Sequence, residues 1–269
     1  MIANEDYEEL RCPFCTDNGQ GKIEIDRVIR KLDEYLSKND TASAKKHLEY
    51  WLKEAEFSKD DRGKLSVIGE LIGLDRKLGN KDECLYYAGQ SLELAKKLGL
   101  ENSISYGTVL INAATAYKAF GKADDALPLY ESAKLIYESN LKETDSRLGG
   151  LYNNMALALL DRGVFDRAKE LFDKAITVMS LSKDNAPFLA VTYCNLANLE
   201  EAMSGKMNGD TKIKEYLKKA MYNLDSMCLS LDGNYAFVCE KCSSVFGYYG
   251  YCVYENELKE RAKNIYERA

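Results

Sequence analysis

The chain has 269 residues, with 37 Lys and Arg against 43 Asp and Glu and a formal net charge of −6 at pH 7. That balance sets aside nucleic acid and anionic membrane as main partners, since both recruit basic surface. There is no apolar run near the ~18 residues of a membrane span and no signal-peptide pattern, so a cytoplasmic location is expected.

Residues 1–22 read as a flexible N-terminal segment containing Cys12-Pro-Phe-Cys15. From residue 23 onward the chain repeats itself. A first unit holds Val28, Lys31, Leu32, Tyr35, Ala44, Leu48 and Trp51, broken at Asn39-Asp40, and a second holds Ile68, Leu71, Ile72, Asp75, Cys84, Ala88 and Ser91, broken at Gly79-Asn80-Lys81. In the third, Leu110, Ala113, Ala114, Tyr117, Ala126, Tyr130 and Ala133 recur 42 residues later in kind as Tyr152, Met155, Ala156, Leu159, Ala168, Phe172 and Ala175, with Gly121 and Gly163 at the breaks. A fifth unit opens with Tyr193, Leu196 and Ala197 and resumes at Ile213, Leu217 and Ala220 after a polar insertion, residues 204–210. The sixth runs through Val245, Phe246, Tyr249, Leu258, Ala262 and Ile265. Each unit carries two apolar stripes at helical spacing and cannot bury them alone, so neighbouring units must stack. The expectation is an all-α solenoid of about six antiparallel helix pairs over residues 23–269, whose core grows lengthwise and so escapes the size limit of a single core.

The third and fourth units, read as L-x2-A-A-x2-Y-x8-A-x3-Y-x2-A, resemble the tetratricopeptide repeat. Ala126, Ala133, Ala168 and Ala175 stand where small residues let two helices approach closely. A 42-residue period is longer than the usual ~34, and with Pro128 in Ala126-Leu127-Pro128-Leu129 it resembles the kinesin light chain type. A proline there suits a helix start, where backbone N–H groups lack partners. The resemblance implies a right-handed superhelix with a concave groove lined by the first helix of each repeat, and a non-enzymatic scaffold that binds a protein or peptide segment.

Two residues beyond the first large apolar position of three successive repeats stand Asn112, Asn154 and Asn195. Asn is a mediocre helix former, and its amide offers both a donor and an acceptor to one peptide unit. These positions resemble the groove asparagines of kinesin light chains, chaperone-binding domains and peptide-sensing regulators. The structural alternative is that they brace neighbouring helices. Asn153, Asn198 and Thr115 lie beside them, while Arg76 and Lys118, a turn further along, suit an acidic segment or a C-terminal carboxylate. Arg30 and Glu70 replace Asn in the first two repeats and interrupt the ladder.

Catalytic motifs are missing: there is no glycine-rich phosphate loop, His/Glu metal motif or nucleophile elbow, and the only histidine, His47, fits a structural position. Neither an enzyme nor a cofactor is expected. Of the eight cysteines, Cys84 and Cys194 occupy small-residue core positions and read as reduced thiols. Cys12/Cys15 and Cys239/Cys242 each have the spacing of half a zinc site, but about 225 residues separate them; a zinc- or thiol-dependent protein is the alternative they carry. Phe246, Tyr248, Tyr249, Tyr251 and Tyr254 crowd the last unit and read as a cap on the terminal repeat. The competing use is a homodimer contact in a self-associating structural protein.

Overall fold

The computed structural model describes residues 23–226 and 232–268, and among these there are helices and turns but no strand. The pair Cys12/Cys15 lies outside the described residues. Eleven α-helices follow in chain order: α1 Ile25–Ser37, α2 Thr41–Phe57, α3 Asp61–Leu78, α4 Lys81–Lys97, α5 Ile104–Ala119, α6 Ala123–Asn140, α7 Ser146–Asp161, α8 Phe165–Met179, α9 Ala186–Leu224, α10 Gly233–Tyr248 and α11 Cys252–Tyr266. No helix among the described residues is long and apolar enough to cross a membrane. The chain divides between Leu141 and Lys142 into two compact units, the first holding α1–α6 and the second α7–α11.

Local chemistry starts and stops the helices. Asp40, Asp60, Ser103, Asp145 and Asp232 cap α2, α3, α5, α7 and α10 by accepting a first-turn backbone N–H. Inside repeats two, three and four the reversal is made by Gly79, Gly121 and Gly163 at φ 76, 76 and 72, a left-handed conformation that a Cβ would strain. Pro128 sits in the second turn of α6 rather than at its start. It is tolerated because it lies on the exposed face, where the carbonyl deprived of its N–H donor faces water.

α9 departs from the expected break. The polar insertion at 204–210 is almost entirely helical, and only Gly205, at φ 74 and ψ 157, leaves helical geometry. That conformation belongs to glycine, so one residue suffices to separate two arms, 186–204 and 206–224. With that division the described helices form six pairs.

Where the helices of a pair cross, residue sizes are complementary. A Cβ on Gly107 would lie 2.5 Å from Cε1 of Tyr137, and one on Gly149 would lie 2.8 Å from Cγ of Met179. The two crossings are 42 residues apart. One repeat earlier the same addresses carry Leu65 and Ala95, which share a core cluster, so the large residue has moved to the first helix and the small one to the second. Ala126, Ala133, Ala168 and Ala175 are fully buried.

The two misfits of repeat two have physical reasons. Asp75 is wholly buried on α3, and its carboxylate accepts from Lys45 Nζ of α2 at 2.5 and 2.6 Å and from Asn80 Nδ2 at 2.9 Å. Cys84 gives its thiol proton to the Ile72 carbonyl at 3.3 Å. His47 places Nε2 2.9 Å from the Val28 carbonyl, with Tyr35 and Trp51 edge-on at 5.7 and 6.4 Å. At the far end of unit two, Arg261 reaches Asp225 at 2.8 Å, the Tyr235 hydroxyl at 2.9 Å and the Leu224 carbonyl at 3.3 Å, and with the Tyr235 hydroxyl, which donates to the same carbonyl at 2.9 Å, it satisfies the C-terminus of α9.

Candidate functional site

The residues to place lie on the first helices of the repeats: α3, α5, α7, the first arm of α9, and α10. In unit one, Asn112 is 7% exposed on α5 and its Nδ2 has no hydrogen-bond partner. An orphaned buried donor costs about 1–3 kcal/mol, so this amide is not kept for stability. Thr115 Oγ1 lies 3.0 Å from the Tyr130 hydroxyl, a tie within the α5–α6 pair that occupies its hydroxyl. Arg76 and Lys118 are half-buried and both are engaged within the protein. Glu70, at the address of Asn112 one repeat earlier, is buried and also engaged.

Unit two distributes its asparagines differently. Asn153 is buried on α7, and its Oδ1 accepts from Asn195 Nδ2 at 3.1 Å and from Thr192 Oγ1 at 3.3 Å. This joint braces the first helix of repeat four against that of repeat five. Asn195 thus gives its amine to the stack while its carbonyl oxygen stays unengaged among the described residues. Asn154, half-exposed, makes no side-chain hydrogen bond among the described residues. Asn198, one turn after Asn195, lies 3.2 Å from the Tyr249 hydroxyl, and the other end of its amide is unengaged among the described residues. Phe188 and Val191, half-buried at helical spacing before Asn195, share its face. Together these residues form a row of amide groups beside apolar surface.

The aromatic crowd divides in two. Phe246 and Tyr254 pack edge-to-face at 4.8 Å inside the core, with Tyr251 5.8 Å from Phe246, and the Tyr254 hydroxyl donates to Asp225 at 2.9 Å. Tyr248 is exposed and Tyr249 half-buried at the edge of the same core, and both give their hydroxyl protons to Glu201 of α9, each at 2.8 Å. Sequence reasoning missed Glu201 and Lys206 as companions of these tyrosines. More than 40 residues separate the groups, and no spacing motif links them.

Cys84, Cys194, Cys239 and Cys242 are buried free thiols and Cys252 is exposed. Cys239 and Cys242 lie on α10 in one core cluster with Cys194, and the Cys242 thiol is held well above its ordinary range by the neighbouring Cys194 and by burial. Among the described residues no group of three or more His, Cys, Asp or Glu could hold a metal ion. Burial raises the Cys84 thiol from the usual 9.0 to about 11 and the Cys239 thiol to about 12. A thiol raised on folding stabilises the native state below its unfolded pKa, and that stabilisation is lost as pH rises from about 9 toward 11–12. Stability is therefore expected to fall above pH 9, and less steeply in Cys84→Ala, as urea midpoints at pH 8 to 10.5 would register. Iodoacetamide at pH 8 should modify Cys252 in the native protein and leave Cys84 and Cys239 unmodified until urea unfolds it.

With this geometry in place, comparison with known proteins is informative. A family model described as tetratricopeptide repeat matches residues 149–179, which span most of α7 and all of α8. Among solved structures, the kinesin light chain nearly identical TPR-like repeats of Podosopora anserina share 19% identity over 75% of this chain and 94% of theirs, with a TM-score of 0.52. BtubC (BKLC) from P. vanneervenii shares 20% identity over 85% of this chain and 90% of its own, with a TM-score of 0.54. NprR in complex with its cognate peptide NprX shares 16% over 96% and 72%, with a TM-score of 0.61. In sequence, the chain matches none of the curated proteins.

Proposed function

From a tetratricopeptide-like repeat fold and a family-model match over residues 149–179, we propose that the chain is a non-enzymatic scaffold holding an extended peptide or protein segment against the first helices of its repeats. The observation that carries this reading is Asn154: a poor helix former kept at a half-exposed position, with both ends of its amide unengaged, beside the Asn153–Asn195 joint. Asn154, the Asn195 carbonyl and Asn198 offer donors and acceptors to successive peptide units. That a protein with this fold, NprR, binds a peptide adds support.

Hydrogen bonds set register more than affinity. Each contributes about 0.5–1.5 kcal/mol, whereas micromolar binding needs about 8. Apolar contact with Phe188 and Val191 supplies the remainder in unit two. In unit one, taken by itself, Arg76 and Lys118 suit an acidic segment or a carboxylate, by exchanging their internal partners for it. The free thiols, Cys194 beside Cys242 above all, fit work in the reducing cytoplasm.

The test begins with peptides selected from a random phage library on the wild-type chain and measured by calorimetry. Asn154→Ala should weaken them about fivefold, the equivalent of one hydrogen bond, and leave the melting temperature unchanged or slightly higher because Ala is the better helix former. Asn153→Ala removes the shared acceptor and should cost about 1–3 kcal/mol of stability. Selected peptides that bind Asn154→Ala and Asn195→Ala as tightly as wild type would refute the site.

A further inference from the structure

The break at Gly205 places Lys206 at the start of the second arm of α9, against the end of α10. Its ammonium stands 4.7 Å from the ring centroid of Tyr248 and 5.7 Å from that of Tyr249, and donates to the Tyr248 carbonyl at 3.3 Å. The two rings meet edge-to-face at 5.0 Å and 81°. Glu201 accepts both phenolic protons, which leaves its carboxylate charge behind the rings and enriches the faces that the ammonium meets. Both phenols are correspondingly harder to ionise, Tyr249 chiefly through burial and Tyr248 chiefly through its bond to Glu201.

Two aromatic faces backed by a carboxylate make a receptor for an alkylammonium ion. Its occupant is held weakly: Lys206 is exposed and, among the described residues, is not ion-paired with a carboxylate. Its neighbour Met207 is 92% exposed, so little packs against the segment that delivers the lysine. The receptor also continues the amide row, since the Tyr249 hydroxyl that meets Glu201 also meets Asn198. A chain of net charge −6 attracts a cation.

We propose that Tyr248, Tyr249 and Glu201 form a subsite for a lysine side chain of the bound segment, and that Lys206 fills it from within the chain until the ligand displaces it. That a segment binds at all is taken from the peptide-binding reading above; the cage itself stands apart from it. Because the internal lysine is tethered at high effective concentration, it competes with every incoming lysine and lowers the affinity gained at this place.

The probe is N-acetyl-lysine methylamide, titrated to millimolar concentration against protein carrying ¹³C-labelled tyrosine rings, with the norleucine analogue as its neutral isostere. Lys206→Ala, at an exposed position, should bind the lysine probe five- to tenfold more tightly than wild type, with shifts at the Tyr248 and Tyr249 rings, and should not respond to norleucine. Adding Tyr248→Leu should abolish the response, while adding Asn154→Ala should leave it intact. Equal binding by wild type and Lys206→Ala, an equal response to norleucine, or survival of binding in Tyr248→Leu would overturn the cage. The library-selected peptides separate the two readings. Affinity that ignores Asn154 but falls on lysine-to-norleucine exchange removes the amide row and keeps the cage; affinity that needs Asn154 and ignores that exchange removes the cage alone.

Discussion

Replacing Lys45 with methionine is expected to lower the stability of unit one by about 3–5 kcal/mol, the cost of stranding a buried carboxylate. Asp75 is fully buried while Lys45 retains 18% side-chain exposure, so the substitution removes the charged partner and admits no water in its place. Asn80 would remain as a single neutral donor. The double replacement Lys45→Met with Asp75→Leu should recover most of the loss, because an apolar pair needs no desolvation repaid. Urea unfolding followed by far-UV circular dichroism reads both. A loss under about 1 kcal/mol for the single variant would mean that the pair behaves like one at the surface.

A second large effect is expected at Gly107. Alanine normally improves a helix by about 1 kcal/mol over glycine, and at Gly89 and Gly150, where a Cβ would meet nothing within 4 Å, that gain should appear as a higher urea midpoint. At Gly107 the new methyl would press on the ring of Tyr137, which is fully buried and held by a 2.8 Å hydrogen bond to Thr108. Overpacking of this kind costs about 1–3 kcal/mol, so the sign reverses. Gly149→Ala should cost less, because Met179 is flexible enough to yield. A stabilised Gly107→Ala would show that α5 and α6 can part without loss.

The helix pairs were legible in the sequence because the period lies in core residues, whose spacing is set by helix geometry and not by neighbours. Val28 and Leu32, Ala126 and Tyr130, Leu258 and Ala262 are all buried where that spacing places them. Gly205 was harder to read. The polar residues around it look like a loop, yet Lys, Asp and Glu are good company on an exposed helix, and only the backbone angle identifies the one residue that turns. The asparagine address illustrates the same limit. Periodicity puts Asn112, Asn154 and Asn195 at one place in the repeat, but whether an amide there is orphaned, unengaged or bonded depends on contacts that spacing does not encode: Asn195 shares the Asn153 carbonyl with Thr192, while the Asn112 amine has no hydrogen-bond partner among the described residues. The tyrosine cage is less legible still, since Glu201, Lys206 and Tyr248 meet only after Gly205 reverses the chain.

The exchange of sizes between Leu65/Ala95 and Gly107/Tyr137 also bears on how unit one avoids assembling wrongly. Its repeats are alike enough for a helix to mistake a neighbour's partner for its own while the chain is still condensing. Were α6 to take the place of α4 as the pair-mate of α3, the ring of Tyr137 would collide with Leu65; were α4 to take the place of α6 at the Gly107 crossing of α5, Ala95 would face Gly107 across a void. One mistake is blocked by bulk and the other goes unrewarded. Near-identical repeats lack such a code, whereas the α3–α4 and α5–α6 pairs carry opposite volumes at the same crossing.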